Sequence, residues 1–106
     1  MDIEALIKQQ IAESPVLLYM KGTPQFPQCG FSARTVEALM QVGVPFAYVN
    51  ILENPEIRST LPRIANWPTF PQLWVKGELI GGCDIVMDMV QKGELAPLIK
   101  EAAPQA

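Results

Sequence analysis

A small α/β domain, a mixed four-stranded sheet with helices on both faces, is the architecture this sequence predicts. Three observations lead to it. Apolar residues recur at helical spacing in segments separated by short, continuous apolar runs of strand character. The first strand–helix–strand unit requires a parallel pair. Near the end of the chain, two short runs joined by Lys76-Gly77 form a two-residue hairpin, which requires an antiparallel pair.

The elements follow in order. Ile3, Leu6, Ile7 and Ile11 share one helical face, so residues 2–13 read as an amphipathic helix ended near Ser14-Pro15. The run VLLYM at 16–20, bounded by Pro15 and Gly22, suits a central strand covered on both sides. After a Pro/Gly-rich loop, Phe31, Ala38, Leu39 and Val42 fall on one helical face, with Gly43 at the position after the helix end. Residues 46–49 read as the second strand. Asn54-Pro55 opens a third helix, whose buried side is Ile57, Leu61 and Ile64. Pro62 is expected to kink or split it, because proline removes a donor and crowds the preceding turn. Strands at 72–75 and 78–80 form the hairpin, and Gly81-Gly82 leads into a helical region over 84–101, broken near Gly93. Pro97 is tolerated in the first turn of the helix that follows the break, and 102–106 is expected to fray. Residues 1–106 thus read as a single domain without repeats or linkers.

With 106 residues the chain supports one core, and its 49% apolar and 18% charged composition suits a globular fold rather than disorder. The longest apolar run is too short to span a bilayer, and MDIEALIKQQ carries acids where an export signal carries positive charge, so a soluble, cytoplasmic protein is expected. Eleven acids against eight bases give a net charge of −3, which offers little support for nucleic-acid binding. There is no histidine, so Cys-His nucleophile pairs and histidine metal ligation are excluded within this chain. The only cysteines are Cys29 and Cys83, whereas a tetrahedral zinc or an iron–sulfur cluster needs four ligands. Any such site must draw on a second chain, an external thiol, or both.

Cys29 stands just before a helix that begins Gly30-Phe31-Ser32, where free backbone N–H groups favour a thiolate. Lys21 can fold back across the loop and add positive charge. A free cysteine is more often a small buried hydrophobe, but a loop flanked by proline and glycine is a poor core position.

KGTP at 21–24, CGFS at 29–32, WPTFP at 67–71 and GGCD at 81–84 together resemble a monothiol (CGFS-type) glutaredoxin of the bacterial single-domain type. CGFS alone is a weak signal. The four motifs in order and spacing, over roughly residues 3–100, are a strong one.

The resemblance implies a thioredoxin-like fold, glutathione binding at Lys21, Arg58, Phe70, Cys83 and Asp84, and Cys29 as the redox-active and cluster-ligating residue. Lys21 and Arg58 would hold the glycine carboxylate of glutathione by charge-assisted hydrogen bonds. A cis peptide before Pro71 would turn the Phe70 backbone outward to pair with the ligand's cysteine. N–H groups of the turn at 82–84 would take the γ-glutamyl carboxylate, and Asp84 its amine. Asp84 serving as a helix cap is equally compatible with the sequence. Cys83 reads as a small packing residue at least as well as a reactive thiol, and Trp67 and Trp74 read as packing residues.

Serine at position 32 leaves Cys29 without a partner for an internal disulfide. Two Cys29 sulfurs and two glutathione sulfurs would then supply the four ligands of a [2Fe–2S] cluster shared by a homodimer. Apo iron–sulfur proteins and BolA-type proteins are the partners the resemblance implies. Two further readings remain open. One is a glutathione-dependent oxidoreductase that removes glutathione from mixed disulfides, and the other is a sensor in which Cys29 and Cys83 form a disulfide.

Overall fold

In the computed structural model, which describes residues 2–103, Val16–Met20 forms β1 and all five of its residues are buried. A strand covered on both faces has no polar side to show, which is why its sequence is a continuous apolar run. β2 (Ala47–Asn50) lies parallel to β1, with Leu17 opposite Ala47 and Met20 opposite Asn50. β3 (Gln72–Val75) runs antiparallel along the other side of β1, and β4 (Glu78–Gly81) pairs back onto β3. The sheet order is β2-β1-β3-β4.

Helices α1 (Ile3–Glu13) and α3 (Pro55–Ala65) cover one face. Their Ile7, Ile57 and Leu61 pack with Leu17 and Tyr19 of β1 and with Ile51. α2 (Gly30–Val42), α4 (Cys83–Gln91) and α5 (Leu95–Ala102) cover the other. There Val36, Leu39, Val86 and Ile99 meet Val16, Leu18 and Met20. Alternate residues of β1 therefore feed two separate cores, as the two-residue period of a strand requires. Asp2 caps α1 by accepting from the Ala5 N–H at 2.8 Å.

Three expectations need correction. α3 runs unbroken through Pro62. The proline falls in the last turn of the helix and removes one donor, on a side where Arg58 is exposed, and Asn66 then closes the helix in the left-handed conformation. Phe31 is not on the buried side of α2. It is 55% exposed, and Ser32, Thr35, Val36, Ala38 and Leu39 form the inner face instead. Ala102 is the buried last residue of α5 rather than the start of a tail, and 104–106 lie outside the described residues. Among the described residues no helix is long and apolar enough to cross a membrane.

Candidate functional site

The loop between β1 and α2 folds back on itself. The Gln28 N–H donates to the Lys21 carbonyl at 2.9 Å, and Gly22 bridges to Pro27. Gly22 has φ +93°, and a Cβ there would stand 2.5 Å from the Phe26 carbonyl oxygen, so only glycine allows this reversal. The result brings Cys29 beside Lys21 at the end of β1.

Cys29 is the N-cap of α2, with extended backbone (φ −154°, ψ 137°). Its thiol is held below the ordinary cysteine value, first by the Ser32 backbone N–H. The Phe31 N–H, the Lys21 charge and the Ser32 hydroxyl add to this, while partial desolvation opposes it. Ser32 is fully buried, and its Oγ accepts from the Lys21 N–H at 3.1 Å. Sequence reasoning treated Ser32 only as a missing cysteine. The signal was its place three residues after the N-cap, the spacing at which a helix start pairs side chains reciprocally.

The 67–71 loop is held from beneath by Gln72, a fully buried residue of β3 that the sequence reading did not single out. Its Nε2 donates to the carbonyls of Trp67 and Thr69 at 3.1 and 3.4 Å. Its Oε1 accepts from Trp74 Nε1 at 3.1 Å, and Trp74 packs on the α1/α3 side, as expected of a core residue. Trp67 instead lines the site, with its buried Nε1 lacking a partner among the described residues. The Phe70–Pro71 peptide is cis. Across from this loop, Gly82 caps α4, Cys83 is the buried first residue of the helix, and Asp84 is exposed in its first turn.

These segments enclose a cleft of about 750 Å³. Lys21, Cys29, Arg58, Phe70, Cys83 and Asp84 all line it, so the fold brings together every site residue singled out from sequence. Phe31, Pro62, Thr69 and Ile85 join them without having been anticipated. Phe31 lies against Arg34, whose guanidinium is 5.9 Å from the ring centre. Among the described residues neither Lys21 nor Arg58 forms an ion pair; the pairs present are Arg63–Glu4 and Lys92–Asp88. Both cysteines are free thiols, and no cluster of three or more potential metal-ligating side chains occurs among the described residues. The cleft therefore offers one activated thiol, two uncommitted cations and a helix start, a set suited to an anionic, thiol-bearing ligand.

A mixed four-stranded sheet between helical layers, with a cysteine capping the helix after its central strand, defines a thioredoxin-like protein. Within that class the chain belongs to the glutaredoxin family, whose family model matches residues 16–80. It is 72% identical to Glutaredoxin 4 of Haemophilus ducreyi over 97 residues, covering 92% of this chain and 91% of that protein. It is 67% identical to Glutaredoxin 4 of Escherichia coli K12, covering 92% and 84% respectively. The solution structure of reduced apo GrxS14 from poplar superposes with a TM-score of 0.80 at 43% identity, covering 94% of this chain and 92% of the other.

Proposed function

We propose that this chain is a monothiol, CGFS-type glutaredoxin of the cytoplasm that binds, stores and hands over a glutathione-ligated [2Fe–2S] cluster, bridging two copies through Cys29. One observation carries the reading. Cys29 is an activated, accessible thiol whose neighbour three residues on is a buried serine bonded to the Lys21 backbone. Such a serine cannot resolve Cys29 into a disulfide, and its hydroxyl favours the thiolate that ligates iron. The donor set fits a shared cluster, because one chain offers a single half-buried thiol beside one buried thiol and no group of three ligating side chains among the described residues.

In this reading glutathione occupies the cleft and supplies the remaining thiolates. Lys21 and Arg58 hold its glycine carboxylate, the Phe70 backbone lies along its cysteine, and the N–H groups of Cys83 and Asp84 take the γ-glutamyl carboxylate. Asp84 accepts from the ligand's amine. Apo iron–sulfur proteins receive the cluster, and a BolA-type protein replaces one copy of the dimer. Anaerobic reconstitution with iron and sulfide tests this. A cluster chromophore that forms only with glutathione present is expected, and one of equal yield without glutathione would sink the reading.

The activated thiol also favours a second reading, deglutathionylation. Cys29 thiolate would attack the glutathione sulfur of a protein mixed disulfide, forming a Cys29–glutathione disulfide and releasing the protein thiolate. A second glutathione thiolate would then attack the bound glutathione sulfur, leaving as oxidised glutathione and restoring Cys29. Sustained turnover on a glutathionylated peptide at a chromophore-free site would favour this reading over the carrier.

A further inference from the structure

Asn50 closes β2 beside the end of β1, opposite Met20. Its Oδ1 accepts from the Gly22 N–H at 2.9 Å and from the Leu52 N–H at 3.0 Å. Its backbone carbonyl accepts from Asn54 Nδ2 at 2.8 Å. Asn54 is in turn the N-cap of α3, and its carbonyl accepts from the Arg58 N–H at 3.0 Å. One residue thus bonds both segments that carry the cleft's cations. It reaches Lys21 through Gly22, the next residue, and Arg58 through the first turn of α3.

The β1–β2 ladder and the Ile51 N–H, which donates to the Met20 carbonyl at 2.9 Å, also join the two segments, but among the described residues the Asn50 side chain is what reaches past the end of β1 to the residue after Lys21. The Lys21 N–H and carbonyl are already committed, to Ser32 Oγ and to the Gln28 N–H. Neither cationic side chain is anchored by an ion pair among the described residues, so their separation follows from where the backbone puts them. A carboxylate shared by two cations is sensitive to that separation, because charge-assisted hydrogen bonds weaken quickly with misplaced donors. An amide oxygen with two lone pairs is what two converging N–H groups need.

We propose that Asn50 is a positioning residue that sets the spacing of Lys21 and Arg58 and thereby the cleft's preference for a ligand with a glycine carboxylate. The proposal rests on the glutathione reading above. It makes no use of the thiol, so ligand binding tests it without a cluster.

The probes are reduced glutathione and glutathione amide, in which the glycine carboxylate is a neutral carboxamide, titrated into the apo protein and followed by NMR. The wild type should bind glutathione more tightly than the amide. Asn50→Ala should lose about tenfold in glutathione affinity and at most about twofold for the amide, since only the carboxylate contact depends on the spacing. If the alanine protein unfolds, Asn50→Ser serves, because its hydroxyl can hold the Leu52 N–H but is too short to bridge to Gly22. Equal weakening of both ligands would make Asn50 a structural residue and overturn its positioning role. A wild-type preference left intact in the variant would overturn the role of Asn50 alone. A wild type with no preference would overturn the assignment of Lys21 and Arg58 to the carboxylate, and the proposal with it.

Discussion

Cys29 owes its acidity mainly to neighbours close in the chain. The Ser32 N–H leads, the Phe31 N–H follows, and the Lys21 charge and the Ser32 hydroxyl contribute less. Ser32→Ala should therefore raise the thiol's apparent pKa while leaving it below that of a free cysteine. Alkylation rate against pH in a Cys83→Ser background measures this, and a rise to the free-cysteine value would contradict the ranking of causes. The sign for stability follows from the same shift. A thiol that ionises at lower pH in the folded than in the unfolded chain stabilises the fold above its unfolded pKa. That contribution is lost as pH falls through the folded value. The two thiols should also part company in reconstitution. Cys29→Ser is expected to abolish the cluster chromophore, whereas Cys83→Ser, which removes a buried sulfur, should retain part of it. A chromophore lost in Cys83→Ser with glutathione binding intact would call for ligation by both protein thiols.

Among the elements, α3 carries more of the site than its sequence suggests. It stays helical through Pro62 and turns both Pro62 and Arg58 to the cleft. Arg58 is exposed and makes no ion pair among the described residues, so removing its side chain disturbs no packing. Arg58→Ala should raise the glutathione concentration needed for half-maximal reconstitution about tenfold. Its thermal midpoint should stay near the wild type, and Arg58→Lys should recover only part of the loss, since a point charge replaces a planar fork. At the end of β4, Gly81 adopts φ +146°, and a Cβ there would lie 2.7 Å from Ile85 Cγ1. Gly81→Ala is therefore expected to cost about 2 kcal/mol in urea unfolding. Gly30→Ala is the control, because nothing lies within 4 Å of the added methyl. It should stay within about 0.5 kcal/mol of the wild type.

On the scale of the whole molecule, the site lies at one end of the sheet. The end of β1 delivers Lys21, the loop before β3 delivers Phe70, and the start of α4 delivers Cys83 and Asp84. Both cores meet at β1, so the strand that positions the thiol loop is also the best-buried part of the chain. The cleft is rimmed by Phe31 and Ile85, at 55% and 41% exposure, which leaves apolar surface beside the thiol where the second chain of the proposed bridged dimer would sit. Reconstitution with glutathione should therefore double the hydrodynamic mass together with the chromophore. A chelator should return both to the single-chain values. Cluster-loaded protein that elutes as one chain would exclude the bridged arrangement.

The element order, the apolar run of the central strand and the thiol at a helix start could all be read from the chain, because each rests on local patterns. Periodicity marks α1 and α3, the uninterrupted VLLYM marks a doubly covered strand, and proline and glycine mark the turns. The resemblance also named six residues that the fold gathers around one cleft, five of them within the motifs and Arg58 outside them. Other features depended on contacts between distant segments. Phe31 obeys helical spacing yet faces outward, since the layer over α2 is filled by α4 and α5 rather than by its first turn. Pro62 breaks no helix, because the bond it forgoes lies on an exposed side. Asn50 and Gln72 look like ordinary polar residues in one dimension, and Ser32 shows there only its place three residues after a helix cap. Their roles arise only when folding brings Lys21, Gly22 and the 67–71 carbonyls within hydrogen-bonding reach, and no local pattern records a bond across 28 residues.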